Sequence, residues 1–144
     1  MIFKKKSVLV LLFLMNSHAI GETLNSKDEV RNFTDEVMGS IAADNLGGAF
    51  KQIREYASVS AADVGAMEAQ LNIQFPTLIS RYGEPSGFEF IDLKTVGSSL
   101  LEIVYIAKYE KHAMPWRFYF YKTNKGWMLN TFRFDSDILR LFPS

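Results

Sequence analysis

Residues 88–134, FEFIDLKTVGSSLLEIVYIAKYEKHAMPWRFYFYKTNKGWMLNTFRF, constrain this chain more than any other stretch. They read as four consecutive antiparallel strands divided by turn residues. Gly97-Ser98 suits a two-residue hairpin loop with glycine in the place that needs a positive φ. Asn124-Lys125-Gly126 suits a three-residue loop ending in a glycine bulge. The longer connection at 111–114 precedes Pro115, and a proline is tolerated as the first residue of a strand.

These turns predict a register in which Tyr105 lies opposite both Phe90 and Phe120, Phe118 opposite Phe132, and Asn130 opposite Phe120. Because side chains alternate with period two, the register also assigns the faces. An inner face collects Phe88, Phe90, Asp92, Ile103, Tyr105, Ala107, Trp116, Phe118, Phe120, Met128, Asn130 and Phe132. The outer face carries Glu89, Ile91, Leu93, Glu102, Val104, Ile106, Lys108, Arg117, Tyr119, Tyr121, Leu129, Thr131 and Arg133. The inner set is so aromatic that it needs a cover, and the preceding residues supply one. Ser26-Lys27-Asp28-Glu29 is a capping box, followed by Val30, Phe33, Val37 and Ile41 on one helical stripe. Asp44-Asn45 and Gly47-Gly48 break that helix. Phe50, Ile53 and Tyr56 or Ala57 mark a short second one. A third, capped by Ser58 or Ser60, carries Val64, Met67, Leu71, Phe75, Leu78 and Tyr82 down to Gly83. Pro76 is expected to kink or split it, because proline lacks an N–H and crowds the carbonyl four residues back. The fold class is therefore α+β: three N-terminal helices packed on a curved four-stranded antiparallel meander.

Residues 1–19 read as a Sec signal peptide: lysines at 4–6, an apolar run at 8–15, and Ser17-His18-Ala19 before a cut after Ala19. The domain is then 20–144, about 125 residues, one ordinary domain. Losing the three lysines takes the neutral whole to a net charge of about −3, which argues against a nucleic-acid partner. Membrane contact is expected only during export, and the location is the periplasm or beyond it. With no cysteine in the chain, an exported domain must be held by its core alone.

The chemistry on offer is sparse. After the signal peptide His112 is the one histidine, which removes most zinc-type sites, and no nucleotide-binding or serine-nucleophile motif is present. No metal or cofactor is expected. The inner face has three polar intrusions, Asp92, Tyr105 and Asn130. They are either satisfied core groups or the polar points of a pocket walled by Phe90, Trp116 and Phe118. In such a pocket Asp92 is the candidate base. On the outer face Ile106, Arg117, Tyr119, Tyr121 and Arg133 combine aliphatic, tyrosine and arginine groups of the kind enriched at interfaces, and a homodimer through the sheet is expected there.

The junction Ala42-Ala43-Asp44-Asn45-Leu46-Gly47-Gly48-Ala49-Phe50, the exit Arg81-Tyr82-Gly83-Glu84-Pro85 and the closing GWMLNTF, set in this order of elements, resemble the NTF2-like (cystatin-like α+β) superfamily. The resemblance spans most of residues 20–144 and is nearest to small exported members without assigned activity. It implies a cone of helices around the sheet, often with a pocket inside and a dimer through the sheet. Some relatives, such as ketosteroid isomerases, use a carboxylate base and a tyrosine donor, and Asp92 and Tyr105 have those chemical types. The His and Asp pairs of other enzymatic members are missing. The reading is an exported, non-catalytic protein that binds a small apolar ligand or a protein partner. The alternatives are an isomerase or hydrolase using Asp92, and an assembly subunit working through the outer face.

Overall fold

The computed structural model describes residues 21–144, so the expected signal peptide and its cut after Ala19 lie outside the described residues. Three helices, α1 (Lys27–Ala42), α2 (Leu46–Tyr56) and α3 (Ala61–Tyr82), precede β1 (Pro85–Val96), β2 (Leu100–Tyr109), β3 (Ala113–Thr123) and β4 (Gly126–Phe134). The strands form one antiparallel sheet in sequence order, and a short 3₁₀ turn at Ile138–Leu141 follows.

Each helix boundary has a local cause. Ser26 Oγ accepts from the Glu29 amide at 3.1 Å, and the Glu29 carboxylate accepts from the Asn25 amide at 2.7 Å, so two amides at the start of α1 are satisfied. Asp44, in the left-handed region at φ 57°, ends α1, and Asn45 caps α2 by accepting from Gly48 N–H. Ser60 caps α3, and Gly83 closes it at φ 88°, where a side chain would be strained. Pro76 does not split α3, which runs unbroken through it. The carbonyl of Asn72 loses its helical partner, but Asn72 and Pro76 line an open groove, where water can replace that bond.

The helices cover one sheet face. Phe33 of α1 meets Phe120 edge-on at 6.2 Å, and Phe50 of α2 meets Phe132 at 5.9 Å. Between them lies a layer of rings: Tyr105 against Phe90 and Phe118, and Trp116 stacked on Phe134 at 4.7 Å. Tyr105, Trp116, Phe118 and Phe120 are all fully buried. Burying such rings stabilises by about 1.5–3 kcal/mol each, which is how a chain without disulfides is held together.

The register differs from expectation in a regular way. The β1–β2 turn contains three residues, 97–99, with Val96 opposite Leu100, and a bulge at Ile91 then restores the offset. Phe90 therefore does lie opposite Tyr105, while Asp92 pairs with Val104 and Leu93 with Ile103. The β3–β4 turn closes one residue early, at Thr123 opposite Gly126, and a second bulge at Asn130 restores the offset there. Phe118 does face Phe132, but Phe120 faces Leu129 instead of Asn130. Tyr105 lies opposite Trp116, four residues along from the expected Phe120, a slip that preserves the faces. The two bulges exchange the sides of everything between themselves and the turns. Asp92 and Met128 move out, Leu93 and Leu129 move in, and Asn130 is left exposed and unpaired in its bulge.

Pro115 is the third residue of β3, not its first. Its carbonyl accepts from Asp135 N–H at 3.3 Å, so its backbone nitrogen also faces the β4 side, just past the last pair, Trp116 with Phe134. The missing donor therefore falls where the ladder has ended. Gly126 is required for closeness as well as for φ 139°: a Cβ there would lie 2.6 Å from the Leu24 carbonyl, which pairs the N-terminal lead to Trp127.

The bulged register separates two substitutions. Phe118→Ala is expected to cost about 3–5 kcal/mol in urea unfolding. Asp92→Ala, on the outer face, is expected to cost no more than about 1 kcal/mol. A large loss from Asp92→Ala would contradict the placement.

Candidate functional site

Of the residues expected to form a polar-dotted pocket, the structure brings together Phe90, Tyr105, Trp116 and Phe118 and excludes Asp92 and Asn130. Asp92 is on the other face, its side chain 49% exposed, with its Oδ1 accepting from Leu93 N–H at 2.8 Å and its Oδ2 3.9 Å from Lys94 Nζ. A base at Asp92 has no route to Tyr105, because the sheet lies between them. The bulges also explain the exclusion energetically: each turns out a polar group whose burial without a partner would cost about 1–3 kcal/mol.

The carboxylate that meets Tyr105 is Asp35, from α1, which sequence reasoning missed. The Tyr105 hydroxyl donates to Asp35 Oδ1 at 2.6 Å and accepts from Thr34 Oγ1 at 2.8 Å. Arg31 Nε donates to the same Asp35 oxygen at 2.9 Å, and its guanidinium carbon sits 3.6 Å from the centre of the Phe90 ring. Arg31, Thr34 and Asp35 fall on one helical face at i, i+3 and i+4. The signal was present as spacing, but nothing in the sequence tied that face to Tyr105, 70 residues away. The arrangement clamps α1 to β1 and β2 at the margin of the ring layer. Burial, reinforced by the Asp35 hydrogen bond, pushes the Tyr105 hydroxyl above its ordinary pKa, so it is a neutral donor at physiological pH.

Trp116 Nε1 is buried with no partner among the described residues, and an unpaired buried donor carries a cost of about 1–3 kcal/mol. Its ring backs onto Phe134 and Phe132, and these two rings mark where the layer opens. There a groove of about 320 Å³ runs between α3 and β4, lined by Met67, Gln70, Leu71 and Gln74 on one wall and Phe132, Arg133 and Phe134 on the other. A wider groove of about 600 Å³ lies between the α1–α2 junction and the Pro76 turn. It is floored by Phe75 and Ile79 and rimmed by Asp44, Asn45, Asn72 and Ser80. Neither groove reaches Phe90, Tyr105 or Phe118.

On the outer face Ile106, Arg117, Tyr119, Tyr121 and Arg133 share one side, as the register requires. Val104 beside them is only 3% exposed in the single chain. Arg117 pairs with Glu102 at 3.4 Å, Lys108 with Glu89 at 3.1 Å, and Arg133 lies 5.7 Å over the Tyr119 ring. The long stems of these side chains shield the aliphatics beneath them. Burial and the Glu102 carboxylate raise the Tyr119 pKa. At the turn end of this face three exposed apolar groups, Val96, Leu100 and Tyr121, lie side by side across three strands at 63, 48 and 49% exposure. His112, in the β2–β3 loop, stacks on Tyr82 at 4.5 Å and bonds the Ser136 carbonyl through Nε2 at 3.0 Å, a structural role. Among the described residues no cluster of three or more His, Cys, Asp or Glu could hold a metal ion.

The buried tyrosines set an alkaline limit. Burial raises Tyr109 to about 12, with the Asp44 charge adding to it, and Tyr105 is raised as well. An unfolded tyrosine ionises near 10 while these two hold their protons, so the unfolded chain is favoured as pH climbs above about 10. Stability is expected to be level up to about pH 9 and to fall above about 10. Tyr105→Phe should flatten that fall in pH-dependent urea titrations while costing about 1–2 kcal/mol at pH 7. An unchanged alkaline slope would contradict the burial of its hydroxyl.

No protein-family model matches the chain, and no curated protein matches it. Among solved structures it is similar to the crystal structure of a domain of unknown function with a cystatin-like fold from Nostoc punctiforme PCC 73102. The TM-score is 0.52 at 12% sequence identity, over 77% of this chain and 76% of that one. At that identity the likeness speaks for architecture and nothing else. With three helices leading into an open four-stranded antiparallel sheet, the chain adopts a cystatin-like α+β fold.

Proposed function

We propose that this is an exported, non-catalytic binding protein, one of the small bacterial members of the NTF2-like group, and that its binding site is the groove between α3 and β4. One observation carries the reading: the ring layer is closed over Tyr105 and Phe118 but opens at Phe132 and Phe134 into a groove with an apolar floor and glutamine rims. Sites for apolar ligands are built this way, from a hydrophobic floor with a few polar groups at its edge. Met67 adds an unbranched, adaptable side chain to the wall. A catalytic role lacks support, because Asp92 faces away from the layer and Asp35 is held by Tyr105 and Arg31.

An apolar dye tests this. In a Trp127→Phe background, anilinonaphthalene sulfonate bound in the groove should quench Trp116, which lies against the groove floor. Gln74→Phe, filling the groove from an exposed position, should weaken binding about tenfold, or about 1.4 kcal/mol. Dye binding that leaves Trp116 unquenched and ignores Gln74→Phe would contradict the reading.

A second reading concerns self-association. The exposed row Val96, Leu100 and Tyr121 favours a homodimer formed at the turn end of the outer face, with Arg117, Tyr119 and the more central Ile106 at its border. Leu100→Lys should then move the sedimentation-equilibrium mass from dimer to monomer. A monomer for the unmodified chain at high concentration would rule the dimer out.

A further inference from the structure

The outer edge of β4 is covered along only half its length, by the chain itself. Leu24 exchanges two main-chain hydrogen bonds with Trp127, at 2.9 and 2.7 Å, in an antiparallel bridge. Ser58 N–H donates to the Leu129 carbonyl at 2.8 Å, where Ala57 forms a parallel bridge. Past the Asn130 bulge this coverage stops: among the described residues, the main chain at 131–134 pairs with β3 alone. A strand edge left open presents N–H and C=O groups that another extended segment can pair with.

This open stretch is also a wall of the α3–β4 groove. The Arg133 guanidinium lies on the far face, over Tyr119. Across the groove, Met67, Gln70, Leu71 and Gln74 form one stripe of α3 at i, i+3, i+4 and i+7. A segment added to the edge would direct every second side chain inward, against Met67, Leu71, Phe132 and Phe134. The remaining side chains would lie on the outer face beside Thr131 and Arg133. Arg117 is tied to Glu102, whereas Arg133 has an aromatic ring beneath it and no carboxylate among the described residues. Acidic side chains at the outward positions would complement it.

We propose that the edge of β4 at residues 131–134 takes up an extended peptide as an added strand, one whose apolar side chains alternate with acidic or polar ones. The proposal rests on the groove being the binding site and specifies its occupant as a peptide held through its backbone.

The probe is an end-blocked, fluorescein-labelled heptapeptide, Val-Glu-Val-Thr-Val-Glu-Val, titrated into residues 20–144 by fluorescence anisotropy. Amide hydrogen exchange is followed by NMR in parallel. Saturable binding is expected, with one or more amides at 131–134 exchanging at least about tenfold more slowly in the complex. Two further peptides, N-methylated on one or the other set of alternate amides, should differ in affinity by about tenfold or more, because only one set can face the edge. Arg133→Glu should weaken binding about tenfold, and Gln74→Phe should abolish it. Equal affinities for the two methylated peptides, or no slowing at 131–134, would overturn strand addition. If the apolar dye enters the groove and Gln74→Phe weakens its binding while the peptide fails to bind, strand addition falls and the groove reading stands. If neither binds, both fall.

Discussion

Side chains on a strand alternate between the two faces of a sheet, and this sheet must bury Tyr105, Trp116, Phe118 and Phe120 on a single face. That requirement fixes β2 and β3 outright, since a slip of one residue would put four rings in water and charged or polar groups beneath the helices. The outer strands adjust to it. Each leaves its turn one residue out of step with the ring layer and recovers through a bulge, at Ile91 in β1 and at Asn130 in β4. The bulges therefore let turns of convenient length coexist with an inner face that tolerates no misplaced side chain.

The one polar group kept in the layer, the Tyr105 hydroxyl, is placed where α1 can answer it. Thr34 and Asp35 bond it, and Arg31 holds Asp35 while covering Phe90. The ring contributes apolar area and the hydroxyl fixes how α1 lies across the sheet, so one side chain serves both packing and orientation. The outer face follows another logic, in which ion pairs and long stems shelter Val104 without a second layer. These arrangements leave unfilled the groove where α3 stands off from β4, the wider groove beside Pro76, and the apolar row at the turn end.

Much of this was legible in the sequence. The capping box at Ser26, the break at Asp44-Asn45, the stop at Gly83 and the four strands are set by local chemistry, which a sequence displays directly. The pairs Phe90–Tyr105 and Phe118–Phe132 were also foreseen, because in each outer strand the turn and the bulge shift the register by equal and opposite steps. The sides of Asp92, Leu93, Met128 and Leu129 were not, since a bulge is a response to tertiary packing and has no fixed sequence signature. Its trace was nonetheless there: an aspartate and an asparagine assigned to a face otherwise made of rings and aliphatics are the sign that the strand departs from strict alternation near them. Asp35 escaped notice for the complementary reason. A carboxylate one turn from an arginine reads as a surface pair, and only the folding of α1 across β2 brings it to Tyr105.

Two bulges seal the ring layer by turning Asp92 and Asn130 out and Leu93 and Leu129 in. Methyl-to-aromatic nuclear Overhauser contacts in a sample with labelled leucine methyls and aromatic rings test this placement directly. Leu129 is buried in the core and the half-buried Leu93 packs against it, so contacts are expected from the Leu129 methyls to the Phe120 ring, and from the Leu93 methyls to rings of the inner layer. Leucine methyls silent toward those rings, with the Asn130 side-chain amide giving the contacts to Phe120 in their place, would contradict it.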